Sequence, residues 1–456
     1  MSNRFCQNCF ELQCRVDKLT TEIGCLKDKI RYLEQGKNEG VFGSSTPSSR
    51  KTFKKNSPDK GEPKMGGARK GHKGHGRSEE GVTQVDRVDL ADTCPDCGTK
   101  LQKRGRRQRT VKDIKPPKPD VIEYACERGW CPHCKKHHTA KPASVLPRML
   151  FGNGLLSHVV SLHFEQGIPL GRIEAMYGLN HGSLCLAFHA LSDFVDPALS
   201  MLMQQIRKEA VIHADESSWR TDGNNGYVWL FCSGRTSIFR FTNTRSGSVT
   251  RDILGTKFLP GCLVRDRYAA YHKLLCRQQY CYAHLLRDVK DIGEEFLHDQ
   301  EVQNFVEQMS ILLSDAIKLR NRKISDKVYY RKAQKLKEQI LNWVYCECRH
   351  AAIRSYQDIF RKGQDRLFEW AKDRCVPADN NRAERELRPV VIARKVSFGS
   401  QSERGARTRS ILMTLINTVK KRHKDKTFTE WFKALLDYKT DHPNMTPKEI
   451  LKHIGT

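Results

Sequence analysis

A multidomain α+β protein is predicted from three features of the 456-residue sequence: an apolar 4-3 repeat near the start, two matched CxxC pairs, and two later apolar strands that each end on an aspartate. The composition shifts between them set the predicted order: a coiled-coil dimerisation helix at 1–35, a basic linker at 36–81, a metal-binding module at 82–145, a helical region at 146–209, an α/β domain at 210–425 with a helical insertion at about 292–375, and a helical tail at 426–456. The chain carries 80 Lys and Arg against 52 Asp and Glu, a net charge of +28. This excess is spread over every region, which points to a long polyanion as partner rather than a small acidic ligand. The start is polar and no run of about 18 apolar residues occurs, so a soluble, intracellular protein that engages no membrane is expected. Seventeen cysteines, an odd number without an export signal, fit reduced thiols, some of them on metal.

Leu12, Val16, Leu19, Ile23, Leu26, Ile30 and Leu33 form the opening repeat. Leucine fills one core position and Val or Ile the other, the arrangement of a parallel two-stranded coiled coil; the alternative is an amphipathic helix packed on its own chain. Cys6 and Cys9 have no second pair nearby and read as ordinary thiols. From Gly36 to Gly81 the periodicity gives way to Gly, Ser, Pro and Lys. Its basic part, with Lys70, Lys73 and Arg77, suits sequence-independent contact with phosphates, or is a solvated spacer.

Cys94-Pro95-Asp96-Cys97 and Cys131-Pro132-His133-Cys134 each turn two thiolates towards one point. Four thiolates around one Zn²⁺ make a closed structural site, and the alternation in Val121-Ile122-Glu123-Tyr124-Ala125 predicts a strand between them, giving a zinc-ribbon-like module. Cys126 competes with Cys131 as a ligand; the matched spacing favours Cys131. Residues 149–209 read as helices, and Pro169–Met176, a turn at Gly178-Leu179-Asn180 and Ser183–Phe194 have the dimensions of a DNA-contacting helix-turn-helix or of a plain helical hairpin.

Ala210–Glu216 is an apolar strand that ends on Asp215, and Tyr227–Cys232 and Ser237–Phe241 continue it as an antiparallel meander. A helix at Gly247–Leu254, a fourth strand at Gly261–Asp266, and a strand and helix over Gln279–Asp291 follow. Three antiparallel strands, a helix, a fourth strand and then alternation is the layout of a ribonuclease-H-like α/β domain. In that layout the first and fourth strands adjoin, and Asp215 and Asp266 face each other at the sheet edge. Carboxylates that close raise one another's pKa unless a cation lies between them, so divalent metal is the natural occupant; taken singly, each is a turn or cap residue.

Phe305, Met309, Leu312, Leu313 and Ile317 mark the helical insertion. Beyond it, Asn381 is a good N-cap and Ala383, Glu384 and Leu387 are good helix formers, so Glu384 lies in a first turn. There it closes a capping box with Asn381 and pairs with Arg388, or it is a third carboxylate of the site. Pro389 is expected to end or kink this helix. Arg394 and Lys395 follow, then a glycine-bearing loop at Phe398–Gly405, a helix with Ile411, Leu415 and Val419 on one face, and a phosphate-ready cluster at Lys420, Lys421 and Arg422.

His213-Ala214-Asp215-Glu216, Asp266-Arg267-Tyr268-Ala269-Ala270-Tyr271, Cys281-Tyr282-Ala283-His284-Leu285-Leu286-Arg287 and Asp379 to Pro389 resemble, in order, the motifs of the bacterial insertion sequence sixty-six type transposases. The leucine-rich start, the Gly-Lys-Gly-His linker and the paired CxxC module resemble the same family, so the likeness covers nearly the whole chain. It implies a DDE transposase that cuts the ends of its element and joins the 3′ ends to target DNA, with Asp215, Asp266 and Glu384 as the triad. Two Mg²⁺ (or Mn²⁺) ions serve such chemistry, one at the nucleophile and one at the leaving oxygen; Asp215 then bridges both, Asp266 holds one and Glu384 the other. Asn380, Arg385 and Arg388 are candidates for positioning DNA or the scissile phosphate, and His284 and Arg287 for contacts behind the metal ligands or to the phosphate. Arg265 and Arg267, flanking Asp266, depart from the family pattern and bear on phosphate contacts. The implied partners are terminal repeats and target DNA, a homodimer or larger assembly, and small accessory proteins of the same element, in the bacterial cytoplasm at the nucleoid. The competing readings are a catalytically inactive DNA-binding protein and a nuclease that cuts without joining.

Overall fold

The computed structural model describes residues 7–38, 85, 91–93, 96–100, 102 and 118–455. Two compact units divide the chain, Lys51–Asp120 and the remainder. Lys70, Lys73, Arg77, Cys6 and Cys94 lie outside the described residues, as do the side chains of Cys9 and Leu33.

Helix α1 (Gln7–Asn38) is unbroken. Leu12, Val16, Leu19, Ile23, Leu26 and Ile30 are each 50–61% exposed, so the apolar stripe is not packed on its own chain. The helix does touch the body at one point, where the Cys25 thiol donates to the His298 carbonyl at 3.3 Å. In the smaller unit, Thr93 and Lys100 form an antiparallel bridge around the turn that holds Cys97 and the left-handed Gly98.

Strands β1 (Arg128–Cys131) and β2 (Lys136–Thr139) make a two-stranded hairpin. The strand expected at Val121–Ala125 is absent: these residues are exposed and pair with no strand among the described residues. Alternation describes a half-buried strand only where a partner and a core exist, and here β1 begins three residues later instead.

Helices α2 (Asn153–Val160, continued by a π turn through Glu165), α3 (Leu170–Tyr177) and α4 (His181–Ile206) follow. Gly178, with φ 65°, ends α3, and the Asn180 side chain caps α4 by accepting from Ser183 N at 3.0 Å. The second helix of the hairpin is thus more than two turns longer than expected. Its buried face (Leu184, Phe188, Leu191, Val195, Leu202) joins one hydrophobic core with the central sheet.

That sheet is built from β3 (Val211–Thr221), β4 (Asn224–Cys232), β5 (Ser237–Thr242), β6 (Cys262–Arg265) and β7 (Arg277–Tyr280), with α5 (Gly247–Leu254) between β5 and β6. The spatial order is β5-β4-β3-β6-β7: β3, β4 and β5 run antiparallel, and β6 and β7 are parallel to β3. An unpaired edge strand invites association with other chains, and β5 is closed by a side-chain ladder. Thr414 and Thr418 accept from the backbone of Phe239 and Ser237 at 2.9 and 3.2 Å, and Ser410 donates to Phe239 O at 2.6 Å.

Helix α6 (Tyr282–Glu295) leads into α7 (Gln300–Leu319), α8 (Asp326–Tyr345), α9 (Ala351–Lys362) and the single turn α10 (Glu369–Lys372). These helices bury their own core around Phe305, Leu313, Ile340, Tyr356 and Trp370. The chain re-enters the sheet domain through α11 (Asn381–Ser397), the short β8 (Gly399–Ser400), which pairs with the end of β3, and α12 (Glu403–Arg422). Pro389 does not end α11. A proline inside a helix removes one i→i−4 hydrogen bond, and burial of Ala383, Leu387, Val390 and Ala393 sustains the helix across it. The end comes at Phe398, which adopts φ 60°. Gly399 must follow, because a Cβ there would stand 2.2 Å from Arg220 O. Helices α13 (Phe428–Asp441) and α14 (Pro447–Ile454) begin with capping boxes and pack back onto α2 and α4. No helix of the described residues is long and apolar enough to cross a membrane.

Candidate active site

The parallel pairing of β3 and β6 ends at His213 opposite Val264; two residues beyond that pair stand Asp215, within β3, and Asp266, past the end of β6, close enough for the Asp266 charge to act on the Asp215 carboxyl. Asp266 lies just past β6, where its carboxylate accepts from Tyr268 N at 2.9 Å. Its loop is fastened by Arg265, which is fully buried and donates to Asp266 O, Tyr268 O and Gln278 Oε1 while lying over the Tyr271 and Tyr280 rings. Arg267 pairs with Asp288 at 2.6 Å. The two arginines beside Asp266 are therefore structural, and the phosphate contacts considered for them are already replaced by protein groups.

Glu384 arrives from the other side, in the first turn of α11. No capping box forms: the cap position is Asn380 rather than Asn381, and its side chain accepts nothing from the helix. Glu384 instead receives Arg287 Nη2 at 3.0 Å, with His284 Nδ1 at 3.9 Å. Burial, and after it the charges of Glu216, Asp266 and Glu384, hold the Asp215 carboxyl well above its ordinary value. Such a group of acids calls for a cation.

Asn380 is the residue that joins these pieces. It is completely buried, and its amide donates to Ala214 O at 2.8 Å and accepts from His213 Nδ1 at 2.9 Å, while its backbone N–H reaches Cys281 Sγ at 3.1 Å. Strand β3, the start of α6 and the start of α11 are pinned at this one residue, β3 through its side chain and α6 through its backbone N–H. The DNA contact expected of Asn380 is corrected accordingly, since a residue with no exposed surface cannot reach a duplex. Burial holds His213 neutral, its pKa lowered to about 3. The sequence held a signal for this clamp: a histidine inside an otherwise apolar strand needs a buried partner.

A fourth acid, Glu216, was singled out by no sequence argument. Its carboxylate takes Arg245 Nη2 at 2.7 Å and Tyr271 Oη at 2.6 Å, and the Arg245 guanidinium stacks 3.9 Å from the Tyr268 ring. Burial, and then the Asp266 charge, raise its pKa from 4.5 to about 7.

The basic candidates divide into two groups. Arg385 and Arg388 are exposed on α11, and Lys395 is exposed near its end. Arg394 is held by Ser217 and Ser218, Lys420 by Glu165, Lys421 by Glu386, and Arg422 by Arg235 O, Gln205, Thr236 and Gly455. Protein groups thus occupy the latter four, which reduces what they can offer a phosphate.

In the hairpin, Cys131 and Cys134 flank the turn between β1 and β2. Backbone and side-chain hydrogen bonds from Cys134 lower the Cys131 pKa, which favours the thiolate that a metal requires. Cys134 Sγ lies 3.6 Å from His138 Nε2. Cys97, in the other unit, accompanies Thr99 Oγ1 at 3.4 Å. Cys126 is exposed, in the extended segment before β1.

Residues 148–408 match the family model described as Transposase IS66 family, and residues 91–135 match that of the zinc-finger binding domain of transposase IS66. The second match supports Zn²⁺ as a cofactor. Two uncharacterized proteins of Sinorhizobium fredii are similar to the chain. Protein y4qI is 23% identical over 326 residues, 61% of this chain and 58% of its own length. Protein y4hP is 23% identical over 377 residues, 73% of this chain and 67% of its own length. The chain thus spans less than two thirds of the first relative and about two thirds of the second.

Proposed function

The chain belongs to the transposase IS66 family, and from that premise we propose that it is a DDE transposase which binds the ends of its element, cleaves phosphodiester bonds there and joins the 3′ ends to target DNA. The observation that supports this reading is the electrostatic action of Asp266, from the loop after β6, and of Glu384, from the first turn of α11, on the Asp215 carboxyl of β3. The order β5-β4-β3-β6-β7, three strands antiparallel and two parallel, supports a ribonuclease-H-like core over residues 210–425, interrupted by the helices of about 292–375.

The acids fit divalent metal, because the Asp215 carboxyl sits among like charges that a cation would relieve. Asp215, Asp266 and Glu384 would hold Mg²⁺ or Mn²⁺, which supply activation of a water or 3′-hydroxyl and stabilisation of the leaving oxygen. The chain's own residues do the rest. Asn380 fixes β3 against α11 and so sets the separation of the acids. Arg287 holds the Glu384 side chain towards α6. Arg388, one helical turn beyond Glu384, and Arg385 offer exposed guanidinium groups to the backbone of a bound strand. The exposed stripe of α1 is the seam of a parallel coiled coil that pairs two chains and hence two DNA ends. Cys94, Cys97, Cys131 and Cys134 hold one structural Zn²⁺.

The test is Mg²⁺-dependent nicking and strand transfer on a labelled end substrate. Asp215→Ala and Asp266→Ala should bind DNA and fail to cut. Cutting at the parent rate by either variant would remove that residue from the reaction.

A further inference from the structure

The geometry points to a second metal site, for Zn²⁺ or another borderline-soft divalent ion, made by Cys281, His284 and Glu384, whose filling withdraws Glu384 from the catalytic cleft. The inhibitory consequence rests on the reading of Glu384 as a catalytic ligand; the binding itself does not.

One donor atom from each of the three side chains lies within 4.8 Å of the other two. His284 Nδ1 and Glu384 Oε1 are 3.9 Å apart, too far for a hydrogen bond. Two N or O ligands sharing one zinc at its usual bond lengths stand roughly 3.3 Å apart, and a sulfur slightly farther from either, so the His284–Glu384 pair must close by roughly half an ångström and each sulfur distance by roughly an ångström at most. The placement follows from local sequence. Cys281 caps α6 and His284 occupies its first turn, so a Cys-x-x-His spacing aims sulfur and ring at the same end of the helix. The first turn of α11 brings Glu384 to that end, and the N–H of Asn380, the residue just before α11, donates to Cys281 Sγ at 3.1 Å. The sulfur is therefore the joint between the two helix starts, and it is buried.

The donor set selects the ion. Sulfur and imidazole suit zinc, whereas Mg²⁺ takes oxygen. Three protein ligands also leave a fourth position open, which distinguishes this site from the closed tetrathiolate of the zinc finger. Binding releases the Cys281 thiol proton to solvent and displaces Arg287, which now occupies the same Glu384 oxygen at 3.0 Å. A Glu384 carboxylate drawn to sulfur and imidazole no longer serves ions held by Asp215 and Asp266. Free zinc thereby becomes a brake on the transposase.

The experiment uses the full chain with its finger zinc in place, titrated with Zn²⁺ alone by calorimetry and followed by metal analysis. The parent should bind one further equivalent. Cys281→Ser and His284→Gln should each weaken that step by at least about tenfold, while Cys131→Ser should lose the finger zinc and keep the added one. Serine still offers an acceptor to the Asn380 N–H, and thermal melting checks that both variants fold. In nicking assays, Zn²⁺ should inhibit the Mg²⁺-driven reaction of the parent over the range that fills the site. The inhibition constant of His284→Gln, measured against its own Mg²⁺-only rate, should rise by the same factor as its binding constant. No added equivalent in the parent, or equal binding by both variants, overturns the site; unchanged inhibition despite weaker binding overturns the brake. A parent that binds the added zinc but never cuts with Mg²⁺ sinks the transposase reading and leaves the metal site standing.

Discussion

The acidic cleft and the Cys131–Cys134 turn gather ligands on opposite plans. In the turn, the two thiols come from four consecutive residues, and the hairpin that presents them has only a surface-exposed ladder of four residue pairs behind it. In the cleft, the acids come from β3, the end of β6 and α11, and buried side chains hold them: Arg265 under the Asp266 loop and Asn380 between β3 and α11. On the proposed reading, a site with so little packing would depend on its metal for its shape, whereas the cleft would keep its shape through the protein and could exchange ions during a reaction. Removing a metal ligand should therefore damage folding in the turn and chemistry in the cleft.

The largest effect that would sharpen this contrast is expected at Glu384. Glu384→Gln should lower the nicking rate by roughly a thousandfold or more, because several kcal/mol of charge stabilisation is lost, with melting temperature and DNA affinity unchanged. A variant that cuts normally would show Glu384 to be no more than the partner of Arg287. Asn380→Ala comes next. It strands Ala214 O and His213 in a dry interior and should cost roughly 2–4 kcal/mol of stability; denaturant unfolding reads the loss, and cleavage should fall with it. If stability holds while cleavage fails, Asn380 acts on substrate and the clamp is wrong.

A third expectation concerns pH in metal-free protein. The Glu216 carboxyl has its folded pKa, about 7, above its ordinary 4.5. The folded state therefore retains the proton more strongly than the unfolded chain does. Stability is fully present below about pH 4.5 and declines as pH rises towards about 7, by roughly 3 kcal/mol at most. Asp215 acts in the same direction. Melting curves at about pH 5 and pH 8 should converge for Glu216→Gln relative to the parent; parallel losses in both proteins would assign the effect elsewhere. The smallest effect on the body of the protein is expected from Cys131→Ser. It should release about one zinc per chain and expose residues 90–140 to protease, yet shift the main melting transition little. A large shift would mean that the two sites share one folding unit, and the contrast would fail.

Both plans were partly legible in the sequence. The CxxC pairs announce themselves because their geometry is local. The two aspartates were readable because each follows a run of apolar residues, and strand order follows from the run of elements; the expected end of the first strand at Asp215 was not borne out, because β3 runs on to Thr221, paired with β4 throughout. The Asn380 clamp was not readable as such: its three partners lie on β3 and at the start of α6, and nothing in Asp-Asn-Asn-Arg distinguishes a buried amide from an exposed one. Of the two outcomes expected at Pro389, a helix end was not borne out, since a propensity rule cannot weigh the tertiary burial that carries α11 past it. Val121–Ala125 failed in the other direction, an alternating pattern that pairs with no strand among the described residues. Glu216 was hidden by its neighbour, because Asp215 already accounted for an acid after the apolar run.

The way the chain leaves and re-enters the sheet domain has a consequence for how this architecture can vary. Tyr282 N donates to Ala378 O at 2.8 Å, beside the bond between Asn380 N and Cys281 Sγ. The excursion through α7 to α10 therefore starts and finishes at one stitched seam, and it carries its own core. Insertions are best tolerated where the two ends already meet. Lengthening, trimming or exchanging those helices alters the bulk hung on the seam and leaves Glu384 where it is, so the excursion is the part of the molecule freest to diversify without disturbing the chemistry.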